Sequence, residues 1–179
     1  MKGRLISLRA PEPDDIEILY TWENNPEIWQ VSNTTAPYSR FAIEQYVLNT
    51  GTDIYASRQL RLMIISSEKP PKVCGAIDLF DFDPLHRRAG IGIMIAPGCR
   101  RKGYAAEALS LVLDYCRNIL NLHQVYCHIS ADNISSIRLF SGAGFKQTGI
   151  RKEWRLSDGR WKDEFLFQYI LNTNPESHD

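Results

Sequence analysis

The stretch from Ala89 to Ser130 constrains the fold most, because it contains a helix between two strands. An apolar run, "AGIGIMIAP", is followed by the cations and glycine of "RRKGYA". A long amphipathic run from Tyr104 to Leu120 comes next, and then a second apolar run, "HQVYCHIS". In the amphipathic run Ala105, Ala108, Leu109, Val112, Leu113 and Cys116 recur at i, i+3, i+4, i+7, i+8 and i+11, one continuous helical face. A crossover helix returns the chain to the end of the sheet it left, which favours parallel pairing of the two flanking strands.

The remaining segments build around this unit. "RLISLRA" alternates around Leu5 and Leu8 and reads as a first strand. "PEPDDIEILYTWENN" opens with Pro and acids, as a helix start does, and carries an apolar stripe of Ile16, Leu19 and Tyr20. Ser39 is placed to cap a second helix with Phe41, Tyr46 and Val47 on its apolar side. "QLRLMIIS" and "VCGAIDLFDF" read as strands joined by the turn "EKPPK". After the crossover, "NISSIRLFSGAG" is a short helix opened by Asp132 or Asn133 and stopped by Gly142 or Gly144. "FKQTGIRKEWRL" and "RWKDEFLFQYIL" are two strands around "SDGR". The order β α α β β β α β α β β predicts a mixed α/β fold with helices on the faces of a mostly antiparallel sheet. At 179 residues this is one domain, assigned to residues 1–172 with a tail over 173–179.

Charge and composition narrow the function. The formal net charge is +0, which gives no support to a whole-surface nucleic-acid binder. No apolar run approaches the roughly 20 residues needed to cross a bilayer, and the N-terminus lacks the apolar segment of a secretory signal. Cys74, Cys99, Cys116 and Cys127 show no CxxC spacing and read as reduced thiols of a cytoplasmic protein. His86, His123, His128 and His178 show no ligand spacing and read as structural or exposed. The informative segment is "RRKGYA". At a helix start several backbone N–H groups lack partners and the dipole end is positive, which suits a phosphate. Gly103 lets an anion approach the backbone, Ala105 keeps the first turn narrow, and Arg100, Arg101 and Lys102 add charge. The P-loop pattern is absent. The only dinucleotide-like run, "GIGIMI", places Ile95 at its third glycine position and lies inside a strand.

In that setting the chain resembles the GNAT superfamily of N-acetyltransferases. Arg100, Gly103 and Ala105 fit the family's acetyl-CoA signature, R/Q-x-x-G-x-G/A, between the fourth strand and the third helix. "ADNISSIRLFSGAGF" is similar to a second family segment through Asn133, Ser136, Phe140, Gly144 and Phe145. "WENNPEIW", "HRRAGIGIMI" and the late Arg160 and Asp163 resemble the branch holding ribosomal-protein alanine acetyltransferases and spermidine acetyltransferases. The resemblance implies a central, mostly antiparallel, twisted sheet with one splayed parallel pair. It implies acetyl-CoA as co-substrate, paired through the backbone of Ile93, Met94 and Ile95, and no metal. The loop Arg100, Arg101, Lys102, Gly103, Tyr104, Ala105 and Ala106 would hold the diphosphate. Asn133, Ser136 and Phe140 would flank the pantetheine and thioester. It also implies direct acetyl transfer to a primary amine of a protein N-terminus or small molecule, and a homodimer or larger homo-oligomer.

Catalysis is less defined. The spermidine enzymes carry a tyrosine acid where Phe140 stands and an acidic residue where Gly90 stands, and a phenyl ring has no proton to give. Ser136 is the candidate donor and Glu153 the candidate base. Trp29, Val31, Asn33, Tyr38 and Trp154 fall where the acceptor pocket of such folds lies, and aromatics there can stack on a cationic amine. Alternatives from the same residues are a spermidine acetyltransferase, or a CoA-binding module without turnover.

Overall fold

The computed structural model describes residues 1–26, 28–29, 35–49, 53–157 and 159–171. Val31, Asn33 and the tail 173–179 therefore lie outside the described residues. The strands are β1 (Ile6–Arg9), β2 (Leu60–Ser66), β3 (Val73–Asp83), β4 (Arg88–Ile95), β5 (Gln124–Ser130), β6 (Lys146–Ser157) and β7 (Arg160–Ile170). The helices are α1 (Ile16–Glu23), α2 (Arg40–Asn49), α3 (Ile54–Ser57), α4 (Tyr104–Asn118) and α5 (Ile134–Gly142). The strands form one sheet in the order β1-β2-β3-β4-β5-β7-β6. Neighbours are antiparallel except β4 and β5, the pair joined by α4, which are parallel.

Period-two alternation divides the strands between two cores. Ile6, Leu8, Leu62, Ile64, Ile77 and Leu79 face α4, whose Ala108, Leu109, Val112 and Cys116 are buried against them. Met63 and Ala76 point the other way, onto Leu19 and Trp22 of α1 and Ile43 and Val47 of α2. The mixed α/β class, the single parallel pair and the helices on both faces are as expected.

Local differences have local causes. Tyr20 and Phe41 were expected on apolar stripes, but both are exposed and the buried turn of α1 runs through Leu19 and Trp22 instead. The four-residue α3 is too short to show periodicity. It is started by Asp53, whose Oδ1 accepts from Tyr55 N at 3.0 Å. Ser39 does cap α2, its Oγ accepting from Ala42 N at 3.1 Å. Cys74 and Cys99, 25 residues apart, sit with their sulfurs 2.7 Å from each other as free thiols.

The pairing of β4 with β5 is brief. It runs through Arg88↔Gln124, Ala89↔Val125 and Gly90↔Tyr126 and stops, while β4 continues to Ile95 and β5 to Ser130. The two strands part there, and a cleft opens at the C-terminal end of β4 beside the start of α4.

Candidate active site

On one side of the cleft is a cavity of about 1290 Å³ lined by Ile93, Met94 and Ile95 of β4 and by Arg100, Arg101, Gly103, Tyr104, Ala105 and Ala106. The loop conformation explains the sequence. Arg101 (φ 62°) and Gly103 (φ 82°) are both left-handed, and Gly103 caps α4. A Cβ on Gly103 would lie 3.3 Å from Leu5 Cδ1, so the glycine is needed for its backbone angle rather than to clear space for a ligand. The first bond inside α4 is Glu107 N to Gly103 O at 3.1 Å. The preceding amides of Tyr104, Ala105 and Ala106 belong to the first turn, which has no intrahelical acceptors. These donors and the arginines suit a diphosphate, so the residues present fit CoA. Lys102 is held away from the cavity by Glu68 at 2.8 Å, and Glu68 also accepts from the Tyr104 hydroxyl at 2.8 Å. That pairing raises the Lys102 pKa and lowers that of Glu68.

On the other side is a cavity of about 740 Å³ that shares Ile93, Met94, Ser130, Asn133, Ser136 and Glu164 with the first as lining residues. Its walls include Trp22, Tyr38, Tyr46, Phe80 and Phe140. Two charge clusters flank it. Arg61 bridges Glu23 Oε1 at 2.5 Å and Asp78 Oδ1 at 2.7 Å, and lies over the Tyr46 ring at 5.6 Å. Burial opposes the Arg61 charge, but the two carboxylates hold its pKa above the ordinary arginine value. On β7, buried Glu164 meets Arg151 at 3.1 Å and Arg155 at 3.7 Å.

Most of the expected residues converge here. Asn133 caps α5, its Oδ1 accepting from Ser136 N at 3.1 Å, so its side-chain carbonyl is engaged in folding. Ser136 borders both cavities. Phe140 is buried edge-on to Phe145, 5.0 Å between centroids, and borders the smaller cavity. Tyr38 lines the smaller cavity, whereas Trp29 and Trp154, expected at an acceptor pocket, line the larger one beside α4. Glu153 stands apart. It is exposed on a bulge of β6 at φ 48°, its amide donates to Asp163 Oδ1 at 3.0 Å, and it lines neither cavity. Gly90 is also not an open position. A Cβ there would come within 2.2 Å of the Phe80 ring, which occupies the space.

The sequence reading missed His128, Glu164, Arg61, Glu23 and Asp78. Glu23 ends helix α1, and the local signal of His128 is strand alternation. Tyr126, His128 and Ser130 lie opposite the buried Val125, Cys127 and Ile129 on β5. Pairing of Ser130 with Glu164 depends on a long-range strand neighbour.

A sheet parted between parallel β4 and β5, with a helix start whose free amides suit an anion at the opening, defines an acyl-CoA-dependent transferase fold. Residues 4–146 match the Acetyltransferase (GNAT) domain family, and the chain belongs to it. The chain is similar to spermidine N(1)-acetyltransferase of Vibrio cholerae, 29% identical over 168 residues, covering 94% of each. A crystal structure of the Vibrio cholerae enzyme in complex with CoA and spermine superposes with a TM-score of 0.82 at 26% identity, covering 94% of this chain and 97% of that one. A shorter likeness, 29% identical over 76 residues, is to the ribosomal protein uS5-alanine N-acetyltransferase of Escherichia coli, covering 42% of this chain and 39% of the enzyme. The protein is an acetyl-CoA-dependent N-acetyltransferase acting on an amine. Among the described residues no helix is long and apolar enough to cross a membrane.

Proposed function

We propose that the acceptor is a primary amine whose body is uncharged or singly charged, such as a peptide N-terminus or an aromatic or aliphatic monoamine. The observation that carries this is the charge balance of the acceptor cleft. Glu23 and Asp78 are both engaged by Arg61, and Glu164 by Arg151 and Arg155. Each of the three carboxylates described as lining this cavity thus has a cationic partner before a polyamine's second and third ammonium groups arrive, and each unpaired ammonium taken from water costs kcal-scale energy. Phe80 fills the space beside Gly90, and the loop "VSNTTAPYS" carries no acid.

The relatives' names favour a second reading, transfer to spermidine, with Glu23 and Asp78 exchanging Arg61 for substrate. Release of CoA thiol decides between them, with spermidine, N-terminal peptides, monoamines and an amino sugar side by side. The first reading expects the highest kcat/KM for a peptide or monoamine, and a higher value for spermidine overturns it. Acetyl-CoA binding without turnover of any amine would support the CoA-binding module.

In the cavity beside α4, Arg100, Arg101 and the amides of Gly103 to Ala106 hold the diphosphate. Ile93 and Ile95 pair with the pantetheine arm, and Ser136 lies beside the thioester. Self-association belongs to the same proposal. One relative is described as dodecameric, and here Ile150, Trp154, Leu156 and Trp161 are exposed on the β6–β7 hairpin at the sheet's edge. Light scattering tests it, a monomer being the contrary result. The four free thiols suit a reducing cytoplasm.

A further inference from the structure

β4 and β5 last pair at Gly90↔Tyr126, so His128 is the next residue on the cleft face of β5, just past the parting. Of the described histidines it alone lines the acceptor cavity, which also contains Ser136 and Phe140. Its Nδ1 is closed off from water and has no hydrogen-bond partner. The nearest acceptor is Glu164 Oε1 at 3.5 Å, an ion-pair separation too long for a hydrogen bond. A buried ring nitrogen left this way costs on the order of 1–3 kcal/mol, so its persistence calls for a reason.

We propose that His128 accepts the proton of the attacking amine through Nε2, and that Glu164 acts as a positioning residue by holding Nδ1–H. This rests on direct transfer to an amine, the reaction assigned above. The acceptor arrives as an ammonium ion and gives one proton to His128. Its lone pair then forms the C–N bond to the thioester carbonyl as the C–S bond breaks. The nitrogen's second proton ends on the departing sulfur, giving free CoA thiol, and His128 returns the first to water. The 3.5 Å gap closes to a hydrogen bond when the ring becomes positive, the tightening expected of catalytic contacts on going from the free enzyme to the complex.

The surroundings suit a base. Burial, then Arg151, lower the His128 pKa below the ordinary histidine value, while Glu164 and Asp81 oppose this. Facing it are Glu164 on β7, Arg151 and Arg155 on β6, and Asp81 on β3, which accepts from the Tyr126 hydroxyl at 3.4 Å. Arg61, Glu23 and Asp78 line the same cavity. The ring is therefore neutral, and able to take a proton, at neutral pH.

The test uses His128→Asn and His128→Gln with primary amines of graded basicity, in the full chain. With a strongly basic amine at pH 7, kcat is expected to fall by about 10²–10⁴-fold, the usual contribution of a positioned base. Acetyl-CoA affinity by calorimetry should stay within about two-fold, and this also reports that the variants are folded. The loss should shrink for weakly basic acceptors such as trifluoroethylamine, and as pH rises, because those amines shed the proton unaided. Glu164→Gln should move the acidic limb of the kcat/KM profile to lower pH, since Glu164 raises the His128 pKa. An equal loss for every amine at every pH would mean the ring only fills space and overturns the assignment, as would near-native kcat in both His128 variants. An unmoved limb in Glu164→Gln removes the positioning role. Native protein that binds acetyl-CoA but acetylates no amine would remove the parent reaction instead, a result distinct from all of these.

Discussion

Glu107→Ala perturbs the joint that fixes α4 against the sheet. The Glu107 carboxylate accepts three backbone bonds from the segment that enters β1, from Arg4 N at 2.8 Å, Leu5 N at 2.7 Å and Ile6 N at 2.9 Å. The same residue's amide closes the first turn of α4 onto Gly103. Charge-assisted bonds contribute about 1.5–3 kcal/mol each when shielded. Two of these are partly buried and one is exposed, so water replaces part of each, and a total loss of about 2–4 kcal/mol is expected. For a chain of this length that lowers Tm by roughly 5–12 °C. Glu107→Gln keeps one acceptor oxygen but turns an NH₂ toward an amide, so about half the loss should remain. The pH dependence has a definite sign. Partial burial alone would raise the carboxyl, but the three amide donors and Arg4 bring it below the ordinary glutamate value. A depressed folded-state pKa gives stability that is complete above the unfolded value of about 4.3 and disappears as pH falls through the folded value. Urea unfolding at pH 7 and pH 3 is the assay. The gap between wild type and Glu107→Ala should be wide at pH 7 and narrow at pH 3. A gap under about 0.5 kcal/mol at pH 7, or one equal at both pH values, refutes the reasoning.

Three further outcomes follow from the site. Gly103→Val forces a β-branched residue into a left-handed angle that costs L-residues roughly 1–2 kcal/mol and pushes it at Leu5. Calorimetry should show acetyl-CoA affinity reduced at least about ten-fold in folded protein, and unchanged affinity would detach the loop from the diphosphate. Phe140→Tyr should leave kcat equal or raised, because it would add a hydroxyl at the proposed thioester site, whereas Ser136→Ala should lower kcat if that serine is the present donor; no change in either variant removes both residues from the chemistry. Gly90→Ala should destabilise by about 1–3 kcal/mol through overlap with the Phe80 ring, and the added Phe80→Ala change should relieve that specific penalty in a double-mutant cycle.

The crossover was legible because a 3.6-residue stripe of Ala108, Leu109, Val112, Leu113 and Cys116 survives into the folded helix unchanged. Asn133 was legible as a cap because capping is decided by neighbours three residues away. Tyr20 and Phe41 misled because a short helix packs at its own angle, and one apolar residue on the wrong shoulder is left in solvent. The acceptor wall was illegible for a different reason. His128 meets Glu164 only because β7 lies beside β5, and Glu164 meets Arg151 only because β6 follows β7. Neither neighbour can be read from periodicity. Gly90 reads as a lost acid in sequence, yet in space it is the gap into which Phe80 packs. The fold was carried by local patterns, while the proposed catalytic face is assembled from residues that are distant in the chain.

The parting of β4 from β5 leaves one edge of β4 unpaired, and this exposes a last consequence to measurement. Ala96 N donates back to Cys74 O on β3 at 2.9 Å, and backbone groups alternate along a strand. Met94 and Gly92 therefore face β3 as Ala96 does, while Ile93 and Ile95 face the open side. Arg100 Nε donating to Ile95 O at 3.1 Å confirms that direction. Unpaired strand groups are costly when buried and form a ready template for an extended amide chain. A pantetheine arm laid along this edge should bond the Ile93 and Ile95 groups and displace the Arg100 side chain from the Ile95 carbonyl. Hydrogen exchange resolved by NMR reads this directly. In the free protein the Met94 amide should be protected and those of Ile93 and Ile95 should exchange rapidly. Saturating CoA should slow Ile93 and Ile95 with little change at Met94. If all three are equally protected before ligand is added, the edge is not open. If CoA binds and none of them slows, the arm runs elsewhere, and the assignment of Ile93, Met94 and Ile95 to the co-substrate fails while the diphosphate loop stands.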